Sequence, residues 1–182
     1  AEWIDAGSKD SPLTSTVEKL GNGNFKVTFR KDLFNGDASL EIAYSIDGNG
    51  AITIENKLNA DKGKHSNLFK YGNHFILPTD FETIEWYGRG PWESYIDRKS
   101  AAFNGIYSGK IADQYYPYVR PQESGNKTDV RWAKVTKKDG SGFTIQAIDS
   151  YLQVNALPYA PEQLTTGMEK KQAHSGELEF DK

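Results

Sequence analysis

The sequence predicts an all-β fold, an antiparallel β-sandwich with one short helix. Three features carry that expectation. Apolar residues recur at every second position in the most regular stretches, Gly- and Asn-rich turns separate those stretches, and helix start signals are scarce.

The elements follow in chain order. Phe25, Val27 and Phe29 alternate with polar residues, as do Leu40, Ile42, Tyr44 and Ile46, and then Ile52 and Ile54 beyond Asp47-Gly48-Asn49-Gly50. Period-two spacing on both sides of such a turn predicts a hairpin, with one face buried and Glu41, Ser45, Thr53 and Glu55 pointing outward. After the turn signal Pro78-Thr79-Asp80, residues 83–87 read as a strand that ends at Gly88-Arg89-Gly90-Pro91. Strands are expected over 130–136 and 143–147, joined by Lys138-Asp139-Gly140-Ser141-Gly142, and over 152–156. Pro161-Glu162-Gln163-Leu164 begins the one helix, running towards Met168, because Pro and Glu suit a first helical turn. Without a repeat, a low-complexity stretch or a linker, residues 1–182 are expected to form a single domain.

Bulk composition narrows the function classes. Of 182 residues, 37% are apolar and 13% aromatic, which is enough to bury a core. Charges of both signs are interspersed and sum to -3, leaving no basic footprint for nucleic acid or anionic lipid. No run approaches the roughly 20 apolar residues of a membrane span, and no leader pattern opens the chain, so a soluble protein is expected and its compartment stays open. The absence of Cys excludes disulfides and thiolate metal sites. The start at Ala1-Glu2-Trp3, without Met, suits an excised piece of a longer protein or a processed one.

Two aromatic segments are the most informative. Trp86-Tyr87-Gly88-Arg89-Gly90-Pro91-Trp92-Glu93-Ser94-Tyr95-Ile96-Asp97-Arg98 is one; Asp113-Gln114-Tyr115-Tyr116-Pro117-Tyr118-Val119-Arg120-Pro121-Gln122-Glu123-Ser124-Gly125-Asn126 is the other. Residues 108–128 show no strand or helix pattern, and so long a connection is either functional or packed over a sheet. Aromatics match the apolar faces of sugar rings, and Arg, Asn and Glu match their hydroxyls. The same residues serve equally as the cover of a sandwich end. Arg89, Trp92, Glu93, Tyr95, Arg120, Glu123, Asn126 and Arg131 are therefore candidates for carbohydrate contact or a domain interface.

Those motifs resemble the C-terminal domain of LacZ-type bacterial β-galactosidases, in glycoside hydrolase family 2. The likeness continues through Asp129-Val130-Arg131-Trp132 and Ala156-Leu157-Pro158-Tyr159, is dense over 84–164 and is looser upstream. It implies a galactose-mutarotase-like supersandwich packed beside a catalytic (β/α)8 barrel, whose active-site wall the domain helps to complete. It also implies that the catalytic glutamates lie on that barrel, so none is assigned here. Three departures bear on the site. Phe69-Lys70-Tyr71-Gly72 lacks the family's Pro-Arg, Ser124 stands where the family has Asn, and the family's late Ser-Trp loop is not found before Lys182. The chain is thus expected to be a β-galactosidase small-chain piece trimmed at both ends.

The remaining chemistry is sparse. A retaining glycosidase needs two carboxyl groups about 5–5.5 Å apart; Glu93, Asp97 and Glu123 are the acids of the two segments, and loop anchoring through Arg89, Arg98, Arg120 or Arg131 accounts for them. His65, His74 and His174 lie outside any mutarotase-like motif and read as ordinary surface or strand-end residues. No metal-ligand spacing, phosphate cradle or nucleophile elbow is present, so neither metal nor cofactor is expected in this chain. The expected function is support of β-galactoside hydrolysis by a separate barrel, with the other domains of the parent chain as partners. A carbohydrate-binding module for galactosides is the alternative.

Overall fold

The computed structural model describes residues 2–3, 6–7, 12–60, 64–68, 70–118 and 123–159. The expected helix at 161–168, Arg120 and His174 lie outside them. Contacts divide the chain into two compact units, Ala1–Phe75 and Ile76–Lys182. Regular structure in both is antiparallel sheet with short 3-10 turns, so the fold is all-β.

In the first unit, β1 (Leu13–Gly21), β2 (Asn24–Leu33), β3 (Ala38–Ile46) and β4 (Ile52–Ala60) pair in that order. The register sets Phe25, Val27 and Phe29 opposite Ile46, Tyr44 and Ile42, and Tyr44 and Ile46 opposite Ile54 and Ile52. Alternation therefore gathers the apolar side chains on one face, as expected. The hairpin turn is closed by Asp47, whose Oδ1 accepts the amides of Asn49 at 2.8 Å and Ala51 at 2.9 Å. Strand β1 was not expected, because its nine residues are all exposed and its apolar alternation is weak. The legible signal was Gly21-Asn22-Gly23, a turn with φ of 85°, 49° and 79° that returns the chain into β2.

Burial in this unit departs from the binary pattern. The apolar face stays partly open, with Phe25 41%, Ile52 57% and Val17 70% exposed. A lone sheet cannot cover its own face; a second layer must do so. On the opposite face, where Glu41, Ser45, Thr53 and Glu55 point as expected, Thr53 and Glu55 are exposed, Glu41 and Ser45 are half-buried and Ala43 is buried. The reason is ionic: Lys26 reaches across β3 to Glu55 at 3.4 Å, and Arg30 pairs with Glu41 at 2.5 Å.

In the second unit, β6 (Phe103–Lys110), β5 (Phe81–Gly90), β8 (Trp132–Lys137) and β9 (Gly142–Gln146) form one sheet in that spatial order. Strands β7 (Lys127–Val130) and β10 (Leu152–Val154) pair separately. The core joins the two layers: Ile84, Trp86, Val130 and Ala133 are buried, with Tyr107, Ile111, Leu152, Val154 and Ala156 packed around them.

Three sequence expectations change here. The strand predicted to stop at residue 87 runs through Gly88-Arg89-Gly90. Glycine is required at 88 because a Cβ there would lie 2.8 Å from Val130 Cγ2 and 3.1 Å from the Thr128 carbonyl. The strand expected over 130–136 is broken at Arg131, after Asp129 takes a φ of 55°. The patternless stretch 108–128 contains the end of β6, a 3-10 turn (Ile111–Gln114) and the start of β7. Strand β6 has a poor apolar alternation in the sequence because its inward positions are Gly105, Tyr107 and Gly109.

Candidate functional site

Both aromatic segments converge after β5, where Gly90–Pro91 is a cis peptide leading into the turn 91–98. The buried Ser94 is the hinge of the junction. Its amide donates to the Asn126 carbonyl at 2.7 Å, and Asn126 Nδ2 donates back to the Ser94 carbonyl at 2.8 Å. Ser94 Oγ accepts the Thr128 amide at 3.0 Å and shares a 2.8 Å bond with Thr128 Oγ1. Asn126 also reaches Gln153 Oε1 at 3.1 Å, which ties the junction to β10. Buried polar groups are tolerated when paired in this way.

Glu93 holds the same two segments by charge. Its Oε1 accepts from Arg98 Nη2 at 2.9 Å and from the Tyr118 hydroxyl, and its Oε2 accepts the Gly125 amide at 2.7 Å. Gly125 has a φ of 75°, and a Cβ there would stand 2.3 Å from the Gln114 carbonyl oxygen. Its own carbonyl accepts a 3.0 Å bond from Lys127 Nζ. That ammonium is buried and lies 4.9 Å from the Trp86 ring centroid. Burial pushes the Lys127 amine down to about 8.

Asp129 is the second anchor. Arg89 Nε donates to its Oδ2 at 2.5 Å and Lys99 Nζ to its Oδ1 at 3.0 Å. The Arg89 hydrogen bond holds the Asp129 carboxyl below the usual carboxylate range. Arg89 Nη1 additionally caps the carbonyls of Ala102 at 2.7 Å and Lys99 at 3.2 Å.

Glu123 Oε1 accepts from Asn155 Nδ2 at 3.1 Å. Tyr95 turns its hydroxyl inward, where it has no hydrogen-bond partner among the described residues; burial raises its pKa, with Glu93 and Glu123 adding to the effect. Arg98 lies 4.6 Å over the Tyr95 ring. Trp92 is the opposite case, 73% exposed at the tip of the turn. Arg131 stands apart, against Tyr87 and Tyr151. Among the described residues no three His, Asp or Glu side chains converge as a metal site would.

Over residues 1–181 the sequence matches the model of the beta galactosidase small chain. The chain belongs to the β-galactosidase small-chain family. A β-galactosidase of Priestia megaterium is 41% identical over 132 residues, covering 72% of this chain and 13% of the relative. One of Halalkalibacterium halodurans is 32% identical over 165 residues, covering 89% and 16%. One of Streptococcus thermophilus is 28% identical over 165 residues, covering 90% and 16%. The chain therefore spans only 13–16% of the length of these relatives.

Within this small-chain family member, the expected loss of amide bonds at Ser124 is accommodated locally. Ser124 is fully buried and its Oγ accepts the Tyr116 amide at 3.1 Å. Sequence reasoning missed Lys127, Ser94 and Thr128 as members of the junction. A lysine ahead of an apolar strand reads as a solvated flank, and only the fold brings Trp86 beneath it.

Proposed function

We propose that this chain is a non-catalytic β-sandwich region of a β-galactosidase, supporting the hydrolysis of terminal β-D-galactosides by a separate barrel domain of a longer parent chain. The names of its relatives supply the reaction class. The observation that carries the supporting role is Glu93, with both carboxylate oxygens committed to Arg98, Tyr118 and Gly125. A nucleophile or proton donor must present an oxygen to the substrate. Asp129, locked by Arg89 and Lys99, is a further carboxylate committed to holding the loops. The exposed Trp92 and Ile96, on a turn pinned at both ends, suit contact with other domains of the parent.

The test is direct. The 182-residue chain, folded and incubated with a chromogenic β-galactoside, should give no turnover above buffer. Turnover that disappears with Glu93→Gln or Glu123→Gln would overturn the proposal.

Trp92 also favours a second reading, a galactoside-binding module, because an indole 73% exposed is available to stack on a sugar. That reading predicts a galactoside affinity that Trp92→Ala removes.

A further inference from the structure

We infer that Arg131, with Tyr87, Tyr151 and Trp132, forms a pyranoside-binding patch on the outer face of the second sheet, separate from the turn 91–98. The backbone places it. Trp86 and Ala133 pair across β5 and β8 and point into the core. The neighbouring pair Tyr87 and Trp132 therefore faces outward, and Gln146 of β9 continues the row. The rings of Tyr87 and Trp132 lie 6.5 Å apart at 60°.

Arg131 is held rigidly over this row. Its amide donates to the Tyr87 carbonyl at 2.8 Å, fixing the break between β7 and β8. Its guanidinium carbon lies 4.1 Å from the Tyr151 ring centroid and 4.9 Å from that of Tyr87. Nη1 alone makes the internal bonds, to Asn104 Oδ1 at 3.1 Å and the Asp129 carbonyl at 2.7 Å. Nε and Nη2 make no hydrogen bond among the described residues, so the bidentate edge of the fork remains open. Around it Tyr151 is 60% exposed, Tyr87 37%, and the Asn104 and Gln146 amides are exposed.

The chemistry selects a sugar. Adjacent ring hydroxyls match the Nε–Nη2 edge, and the C–H face of a pyranose matches an aromatic surface beside it. A simple carboxylate would use the fork and leave the rings idle. A phosphate backbone needs a track of cations, which a single guanidinium in a chain of net charge -3 does not provide. The patch does not depend on whether the chain is catalytic, so the hydrolysis assay above cannot decide it.

The experiment titrates the 182-residue chain with methyl β-D-galactopyranoside and, separately, with sodium acetate, reading Trp fluorescence. A saturable change with the glycoside and none with acetate is expected. Arg131→Lys, which keeps the charge and removes the fork, should weaken binding about tenfold or more. Trp132→Phe should abolish the fluorescence change while calorimetry still registers binding, and Trp92→Ala should change neither. No saturation, an equal response to acetate, or loss in Trp92→Ala instead would overturn the assignment. Should Arg131→Lys fail to melt cooperatively, the Trp132→Phe result decides the matter.

Discussion

Glu93 Oε2 accepts the backbone amide of Gly125 at 2.7 Å, across 32 residues of chain. On the other side of the same residue, the Gly125 carbonyl receives the Lys127 ammonium. The residue between β5's turn and β7 is thus gripped at both polar groups, and its left-handed backbone explains why glycine occupies it.

Replacing Glu93 with Gln removes the charge that receives Arg98 and leaves one oxygen for three donors. The native state should lose about 1–3 kcal/mol, read as a lower urea midpoint at unchanged slope. A midpoint equal to wild type would show that the Glu93 bonds contribute nothing net.

Gly88→Ala should be costly although alanine is small. Its Cβ would meet Val130 Cγ2 at 2.8 Å and the Thr128 carbonyl at 3.1 Å, forcing the β10–β7 layer away from β5. A loss of about 1–3 kcal/mol is expected in chemical denaturation. Val130→Ala in the same background should recover part of it.

Lys127 makes stability rise on the alkaline side. Its amine titrates at about 8 in the native state instead of the ordinary 10.5. Between those values the unfolded chain binds more protons than the native one, so stability increases as pH rises through that window. Lys127→Met should flatten the rise and gain about 1 kcal/mol at neutral pH, where the buried charge is otherwise retained. Urea midpoints measured across the window give the slope.

Asp129 acts with the same sign, at acid pH. The Arg89 bond lowers its native pKa below the ordinary carboxylate value, so its contribution is present above that value and is lost as pH falls through the native pKa. Asp129→Asn tolerates the φ of 55° but gives up the charged bonds to Arg89 and Lys99. It should cost about 1–2 kcal/mol at neutral pH and make acid unfolding less steep, as followed by circular dichroism.

Much of the strand framework was legible because alternation at Phe25–Val27–Phe29 and Leu40–Ile42–Tyr44–Ile46 is a local property of the chain. So was the family, because two long motifs in order are specific whatever they pack against. Strands β1 and β6 were not legible. One is exposed on every residue, and the other places glycine where a core residue would announce itself, so only pairing with β2 and β5 reveals them.

The site divides in the same way. The residue types of the two segments followed from composition, and the Glu93–Arg98 pair from the expectation that an acid there anchors the loop through an arginine. Which donor meets which acceptor was decided by the tertiary structure. Glu93 pairs with Gly125, Arg89 with Asp129 and Ser94 with Thr128 at separations of 32, 40 and 34 residues, which no local pattern encodes. The buried Lys127 follows from the same physics: a side chain's solvation is set by what the distant chain places around it. Hydrophobic period is written along a strand, whereas hydrogen-bond partnership and burial are properties of the closed chain.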